Sequence, residues 1–300
     1  MGQEIKFQDG ESYEKWMGVW TQLVGDQFLD WLSPETAKAW LDIGCGNGAF
    51  TEQIYTHHDP SEIHAIDPSS EQIDFASRRI VSDRVSFQVG DAMDLEFEAD
   101  RFDYATMALV LFFVPEPAVG VSEMARVVRP GGVISAYVWD VLEGGLPMEA
   151  INAQLRVLDI PHPLAPTAEV SRINRLESTW LEAGLKEVAV KQISVDRTFE
   201  NFEQFWDLSH NSPSVGPILS KLPADVGHRV KTMTRDALGV DDSQTVTVNA
   251  FANAVKGTVC RDLRTLGVVK RLRLRRLLKR WTIRRPPRQR LNDHPRVLSA

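Results

Sequence analysis

Residues 40–50 have the sequence Trp40-Leu41-Asp42-Ile43-Gly44-Cys45-Gly46-Asn47-Gly48-Ala49-Phe50. A short apolar run with one acid is followed by glycines at every second position. This order predicts a buried strand, a tight loop and the start of a helix, which together open a doubly wound α/β sheet. Glycine permits positive φ and lets backbone N–H groups approach a ligand without an intervening Cβ. The following helix directs its positive end at that ligand, so the segment predicts a binding loop at a sheet edge.

The residue before the glycines indicates which ligand this loop holds. Gly44, Gly46 and Ala49 fit a loose G-x-G-x-x-G/A pattern, which suits either a dinucleotide or S-adenosylmethionine. Asp42 favours the second, because a carboxylate at the strand end repels a pyrophosphate and attracts an amino group and a sulfonium. The string L-D-I-G-C-G-N-G resembles motif I of the class I S-adenosylmethionine-dependent methyltransferases. The resemblance implies that Asp42, Gly44, Cys45 and Gly46 border the cofactor, with Cys45 as a small packing residue and not a nucleophile.

A second acid follows the next predicted strand. Residues 63–67 form a short apolar run that ends in Asp67, 19 positions after Gly48. In nucleoside-binding α/β folds an acid at this place accepts hydrogen bonds from ribose hydroxyls. Asp67-Pro68-Ser69 also resembles motif II of the same family, so Asp67 and Pro68 are predicted to contact the cofactor. Ser69 and Gln72 have the spacing of a capping box for the helix that follows.

A third acid follows residues 85–89, which alternate as a strand does. The next residues, Gly90-Asp91-Ala92-Met93, resemble motif III of the family. The resemblance implies that Asp91 accepts a hydrogen bond from the adenine amino group and that Ala92 and Met93 flank the ring. A second nucleoside-binding acid favours S-adenosylmethionine over NAD.

Residues 102–111 form a nearly unbroken apolar run, as central parallel strands do. With the following residues they resemble the motif IV region of the type 11 methyltransferases, a group that includes ubiquinone and menaquinone biosynthesis enzymes. Many relatives have His or Asn where this chain has Phe112, so a more apolar wall is expected on the acceptor side. Leu109 is expected to offer only backbone groups to the methionine part of the cofactor. Residues 126–133 (R-V-V-R-P-G-G-V) resemble another family signature, which predicts a helix-to-strand turn without a chemical role.

Aromatic residues recur along a predicted amphipathic helix over residues 13–32. In the resembled family a helix of this kind covers the cofactor. Tyr13, Trp16 and Trp20 are therefore candidates to shield it, and the alternative is that they only pack the helix on the sheet.

Beyond Trp139 the resemblance becomes weaker. A proline-rich insertion over residues 144–166 is expected to cover the site. The remaining elements predicted are helices and strands, at 171–183, 186–198, 201–208, 223–238 and 245–259. The resemblance implies that they complete a seven-stranded, mostly parallel Rossmann-like sheet and cover the acceptor. We expect one methyltransferase domain over 1–260, with a cofactor half at about 35–140 and acceptor-pocket elements at about 141–260.

The implied reaction is an in-line displacement of a methyl group onto a small, apolar or aromatic acceptor. Such a reaction depends mainly on alignment and on exclusion of water, although an alcohol or amine acceptor needs a general base. The candidates are His210, His162 and Tyr13, from their positions in loops or in the first helix, and solvated surface residues are the alternative for the histidines. The histidines and cysteines show no zinc spacing, so no metal is expected.

Composition limits the setting of the protein. Two cysteines are too few for a disulfide framework, which favours a reducing, cytoplasmic compartment. No signal peptide is recognised at the start of the chain, and the longest apolar run is about half a membrane span. The net charge is −7, but residues 261–300 hold fourteen Lys and Arg against two acids and are therefore near +12, which leaves 1–260 near −19. An acidic body argues against nucleic acid as the main substrate.

The basic tail, residues 261–300, has no counterpart in the resemblance. It could be a helix on an anionic membrane surface or on nucleic acid, a disordered appendage, or the product of a shifted reading frame. Two alternatives to the methyltransferase remain at this stage. An NAD-dependent oxidoreductase is disfavoured by Asp42, by Asp91 and by the lack of a Tyr-x-x-x-Lys pair. A non-catalytic S-adenosylmethionine-binding regulator would bind the cofactor without turnover.

Overall fold

The computed structural model describes residues 18–162, 164–212, 214–241 and 244–260. Its strands in these residues are β1 (Ala39–Ile43), β2 (Glu62–Asp67), β3 (Val85–Val89), β4 (Phe102–Ala108), β5 (Val128–Trp139), β6 (Lys186–Phe199) and β7 (Val246–Thr258). Its helices there are α1 (Val19–Leu32), α2 (Ala49–His57), α3 (Ser70–Arg79), α4 (Pro117–Val127), α5 (Glu149–Val157), α6 (Ile173–Glu182), α7 (Phe202–Ser209), α8 (Gly216–Leu219) and α9 (Ala224–Leu238).

The seven strands form one sheet in the order β3-β2-β1-β4-β5-β7-β6. Neighbouring strands are parallel, except that β7 runs antiparallel to both β5 and β6. After β3 at one edge of the sheet the chain returns to the centre, where β4 pairs with β1. The place between β1 and β4 is the switch point at which open α/β sheets bind ligands. The predicted fold class, a doubly wound and mostly parallel Rossmann-like sheet, is confirmed.

Helices cover both faces of the sheet. On β7, Lys256 donates a hydrogen bond to the carbonyl of Trp31 in α1, whereas the next residue, Gly257, lies against Trp180 of α6. Because successive residues of a strand point to opposite faces, α1 and α6 are on opposite sides. The ring of Phe28 in α1 packs 4.7 Å from the ring of Tyr137 in β5. These buried aromatic contacts fix α1 beside the carboxyl edge of the central strands.

Three local features differ from the sequence prediction. Strand β4 ends at Ala108 and not at 111, because Leu109 adopts a φ of +60° and a 3-10 turn, Leu111–Phe113, follows. Residues 129–132 do not precede β5 as a free turn. They lie within it as an irregularity, where proline has no N–H to give the ladder and Gly131 has a φ of +82°.

The third difference is α5 (Glu149–Val157), which lies inside the segment predicted as a proline-rich insertion. Ile151 and Leu155 are four residues apart and fully buried, so one side of this short helix packs on the body. Proline at both ends of the segment concealed this period, although the interior of the helix has none.

The two last strands extend past the rest of the sheet. Trp139, the final residue of β5, is level with Ala252 of β7, which pairs with Ile193 of β6. Residues 194–199 and 246–251 therefore continue as a two-stranded ribbon beyond the carboxyl edge. The segment between these strands contains α7, α8 and α9, and α9 packs on α5. Elements that follow Trp139 thus gather at the edge where the glycine loop lies.

Candidate functional site at the carboxyl edge of the sheet

The loop between β1 and α2 contains three glycines with left-handed backbone conformations. Gly44, Gly46 and Gly48 have φ of +74°, +52° and +82°. A Cβ on Gly44 would lie 2.5 Å from the side chain of Val110, so this position must be glycine for packing as well as for conformation. A Cβ on Gly46 would meet no atom within 4 Å. Gly46 is therefore the point of the loop where a ligand can approach the backbone most closely.

Asp67, the last residue of β2, is tied to this loop. Its Oδ2 accepts a hydrogen bond from the N–H of Gly46 at 3.0 Å, and its Oδ1 accepts one from the N–H of Ser69 at 2.9 Å. The side chain is 9% exposed. Burial raises the pKa of Asp67, and the two N–H donors oppose that rise. Each carboxylate oxygen can accept a second hydrogen bond, so Asp67 has capacity left for a hydroxyl ligand.

Asp42 in β1 lies beneath the loop and is fully buried. Its Oδ2 accepts a hydrogen bond from Thr51 Oγ1 at 2.6 Å, and its Oδ1 has no partner within the described part of the chain. Burial raises the pKa of Asp42 to about 7; the bond from Thr51 lowers it, and the nearby charge of Asp67 raises it. Asp42 therefore presents no exposed oxygen at the surface of the loop.

Asp91 follows β3 at the same edge and is exposed. Its Oδ1 accepts a hydrogen bond from the N–H of Met93 at 2.8 Å, and its carbonyl accepts one from the N–H of Asp94 at 3.0 Å. These bonds form a tight turn that leaves Ala92 and Met93 half-buried. Gly90 joins the turn to β2, since its N–H donates to the carbonyl of Asp67.

Leu109 follows β4 directly at this edge of the sheet. It is buried, its φ is +60°, and its N–H donates to the carbonyl of Tyr137 at 2.8 Å. A left-handed conformation at a leucine is strained and needs support from its surroundings. The bond to β5 supplies such support and turns the chain sharply where β4 ends.

Other sequence candidates fall in different places. Cys45 is buried, and burial raises the pKa of its thiol well above the usual value, which disfavours a nucleophilic thiolate. Pro68 lies between Asp67, which accepts the two hydrogen bonds described above, and the N-terminus of α3. There Ser69 accepts a hydrogen bond from the N–H of Gln72, as the capping box predicts. Tyr13 and Trp16 lie outside the described residues.

Three residues expected on the acceptor side have different surroundings. Phe112 is buried and its carbonyl accepts hydrogen bonds from the backbone and the hydroxyl of Thr167. His210 is exposed at the end of α7, with its ring edge-on to Trp206. His162 is half-buried in the loop before α6. Within the described residues, neither histidine makes a hydrogen bond or ring contact with the glycine loop, and a catalytic role for them remains a prediction.

A buried polar cluster, which the sequence alone did not indicate, lies where β5 ends. Asp140 Oδ2 accepts a hydrogen bond from Asn253 Nδ2 at 2.7 Å, and the same amide donates to the carbonyl of Ser171 at 2.8 Å. A Cβ on Gly145 would lie 2.3 Å from the carbonyl of Phe251, so the loop after Asp140 passes tightly over β7. The cluster joins the loops that contain Asp140 and Ser171 to β7. An Asn in an otherwise apolar strand segment was the available signal.

Candidate membrane-spanning helices and metal-binding clusters are both absent from the part of the chain that the structure describes. None of their helices has the length and apolar character needed to cross a bilayer. Within the same residues, no three His, Cys, Asp or Glu side chains come together in a way that could hold a metal ion.

Comparison with known proteins finds similar sequences for the central part of the chain. Residues 41–136 match the family model described as a methyltransferase domain. A demethylmenaquinone methyltransferase of Staphylococcus aureus is 30% identical over 144 residues, which cover 47% of this chain and 58% of that enzyme. The chain therefore spans somewhat more than half the length of that relative.

Solved structures agree on the fold. A phosphoethanolamine N-methyltransferase of Haemonchus contortus, with phosphomonomethylethanolamine and S-adenosylhomocysteine, has a TM-score of 0.53 at 18% identity over 84% of this chain and 57% of that chain. The YcgJ protein of Bacillus subtilis has a TM-score of 0.51 at 17% identity, over 85% of this chain and all of that one. The solved structures share the Rossmann-like fold of this chain, and residues 41–136 are similar to a methyltransferase domain.

Proposed function

We propose that this protein is an S-adenosylmethionine-dependent methyltransferase that acts on a small, apolar or aromatic acceptor. The observation that carries the proposal is the arrangement around Gly46, whose open side lies beside the Asp67 carboxylate at the switch point of the sheet. Asp67 suits the ribose hydroxyls of either a dinucleotide or S-adenosylmethionine. Asp42, buried beneath the loop, disfavours a pyrophosphate there and favours a ligand with positive charge.

The residues present fit the parts of this cofactor. Asp67 has acceptor capacity for ribose hydroxyls, and the exposed Asp91 has it for an amino group on the base. The backbone of Gly44–Gly46 and of Leu109 is suited to the amino acid part. Asp42, buried beneath the loop, favours a cationic ligand over a neutral one. When bound, S-adenosylmethionine supplies a methyl carbon that an acceptor atom attacks as the carbon–sulfur bond breaks.

The chain's own contribution is alignment and the exclusion of water. Elements after Trp139, namely α5 and the α7–α9 segment, lie at the carboxyl edge and are proposed to cover the acceptor. Phe112 contributes an apolar wall where a polar residue would assist proton transfer. An acceptor that ionises easily, such as a quinol or acidic phenol, would need no strong base from the protein. The name of the Staphylococcus aureus relative supports a quinone-type acceptor.

Calorimetric titration of S-adenosylhomocysteine into the full chain tests the cofactor, with NADH as the control ligand. We expect micromolar binding of S-adenosylhomocysteine and none of NADH. The reverse result would overturn the proposal in favour of an oxidoreductase.

The acceptor is tested by release of S-adenosylhomocysteine in the presence of S-adenosylmethionine. A 1,4-naphthoquinol with a short prenyl chain is expected to support turnover, and phosphoethanolamine is the polar comparison. Turnover with phosphoethanolamine alone would contradict the apolar acceptor. Cofactor binding without turnover on quinols, phenols or amines would favour the non-catalytic regulator.

A further inference from the structure

The segment after β3, residues 91–97, contacts both the sheet and α4. The ring of Phe97 packs against the rings of His64 in β2 and Phe102 in β4. A Cβ on Gly120 in α4 would lie 3.7 Å from the carbonyl of Ala92, so this helix runs close beneath the segment. The N–H of Met93 donates to Asp91 Oδ1 within the turn, as described above. Residues 95–97 follow this turn directly, so the way they are held affects where the turn lies.

Arg126, in the last turn of α4, holds this part of the segment. Its Nη1 donates to the carbonyl of Phe97 at 2.7 Å, and its Nη2 donates to the carbonyl of Leu95 at 2.8 Å. The main chain continues the attachment, since the carbonyl of Arg126 accepts a hydrogen bond from the N–H of Asp100 at 3.1 Å. One planar guanidinium thus fixes two carbonyls that are two residues apart.

Glu123, one turn earlier in α4, completes the attachment. Its two carboxylate oxygens accept hydrogen bonds from Arg126 Nε at 2.9 Å and Nη2 at 2.7 Å. Oε2 also accepts one from the N–H of Leu95 at 3.1 Å. Leu95 is therefore held at both its N–H and its carbonyl by one ion pair, and its own side chain is buried.

Packing of α4 against its neighbours would not by itself require a buried ion pair at these positions. The side chains of Arg126 and Glu123 are only 15% and 8% exposed, and burying two charges costs free energy that an apolar pair would avoid. Apart from the hydrogen bonds between these two side chains, those that they make all join backbone atoms of Leu95 and Phe97. A polar pair of this kind specifies one backbone conformation, which apolar contacts do poorly.

We propose that Glu123 and Arg126 are positioning residues for the base of the cofactor: they hold residues 91–97 so that Asp91 faces the adenine amino group. The proposal rests on the proposed function, because it takes Asp91 as a nucleoside contact. It gives Arg126 a role beyond the one predicted from sequence. The R-V-V-R-P-G-G-V signature, which contains this residue, predicted only a helix-to-strand turn.

The test compares two conservative variants. Arg126→Lys keeps the charge but loses the fork, so one ammonium cannot reach both carbonyls and the carboxylate. Arg101→Lys is the matched control, since Arg101 makes an equally close two-pronged pair with Glu62 at the opposite, amino edge of the sheet. Glu123→Gln is a second test variant with a smaller structural change, in case Arg126→Lys does not fold.

Binding is measured with S-adenosylhomocysteine and S-inosylhomocysteine, which lacks the amino group on the base. We expect wild type and Arg101→Lys to prefer the adenine ligand, and Arg126→Lys to bind it about tenfold more weakly, equivalent to one lost buried hydrogen bond. The affinity of Arg126→Lys for S-inosylhomocysteine should fall less, so the ratio of its Kd values for the two ligands should move toward one. A merely structural role would lower thermal stability and leave this preference unchanged.

Hydrogen exchange without ligand gives an independent readout. The amides of residues 93–97 are expected to exchange at least about tenfold faster in Arg126→Lys or Glu123→Gln than in wild type or Arg101→Lys. Unchanged exchange with an unchanged base preference would overturn the positioning role alone. A wild type that binds neither homocysteine ligand would overturn the proposed function and, with it, the nucleoside role of this segment.

Discussion

The Asp67 carboxylate accepts a hydrogen bond from the N–H of Gly46 at 3.0 Å, which joins the end of β2 to the loop after β1. The two residues are 21 positions apart in sequence, and the strands that they follow or end, β1 and β2, are parallel neighbours. The same carboxylate also orients the start of α3 through the N–H of Ser69. One side chain therefore sets the geometry of both segments that border the proposed ribose site.

Replacing this carboxylate is expected to weaken cofactor binding strongly. In Asp67→Ala, two backbone N–H groups lose their acceptor and the ribose hydroxyls lose theirs. Charge-assisted hydrogen bonds contribute about 1.5–3 kcal/mol each, so the Kd for S-adenosylhomocysteine should rise about 10- to 100-fold. Calorimetry measures it, with the exposed Asp74→Ala as the control for loss of a negative charge. Equal affinity in Asp67→Ala and wild type would contradict the assignment.

Two glycines allow conformational strain to be separated from loss of ligand space. Gly46 and Gly131 both have positive φ, and a Cβ on either would meet no atom within 4 Å. Alanine should therefore destabilise the fold at both sites by a similar amount, about 1–2 kcal/mol. Only Gly46→Ala should lose S-adenosylhomocysteine binding, because Gly131 lies at the amino edge of the sheet. Chemical denaturation and calorimetry on both variants check this, and retained binding in Gly46→Ala would show that no ligand approaches there.

The buried Asp42 predicts a pH dependence of stability. Folding raises its pKa to about 7, so the folded chain holds a proton that the unfolded chain releases near pH 4. The free energy of unfolding should then fall as pH rises from about 4 to 7 and level off above, by up to about 4 kcal/mol from this group. Asp42→Asn removes the titration while keeping an oxygen for Thr51.

Urea unfolding at pH 5 and pH 8 measures this effect as a difference between wild type and Asp42→Asn. The variant should gain stability relative to wild type as the pH is raised. A difference that is the same at both pH values would mean that Asp42 stays ionised in the folded protein.

Asn253 is expected to be important for stability because it holds a buried carboxylate. Asn253→Leu removes the donor to Asp140 Oδ2 and to the carbonyl of Ser171, which should lower the free energy of unfolding by about 3 kcal/mol. Asn249 on the same strand is exposed, and its bonds go to Ser194 and Asp196. Asn249→Leu should change stability by less than about 0.5 kcal/mol. Similar losses in both variants would count against a special role for the buried cluster.

The sequence by itself determined the half of this protein that we propose binds the cofactor. Local rules govern it: glycines that need positive φ, acids at the ends of apolar strands, and a capping box at Ser69 are all readable within a few residues. The strands at residues 85–89 and 63–67, and the helix from Pro117, appear in the structure close to the predicted bounds. The family match over residues 41–136 covers this same half.

Only the tertiary structure decided the rest. Two contacts join residues that are distant in sequence, by up to 113 positions. They are the attachment of residues 95–97 to Glu123 and Arg126, and the contact between Asp140 and Asn253. No local pattern encodes such a pairing. The full burial of Asp42, and hence its raised pKa, depends on the strands and loop packed around it. Desolvation and long-range hydrogen bonds arise when distant segments meet, which is why composition and spacing could name the acids but not their environments.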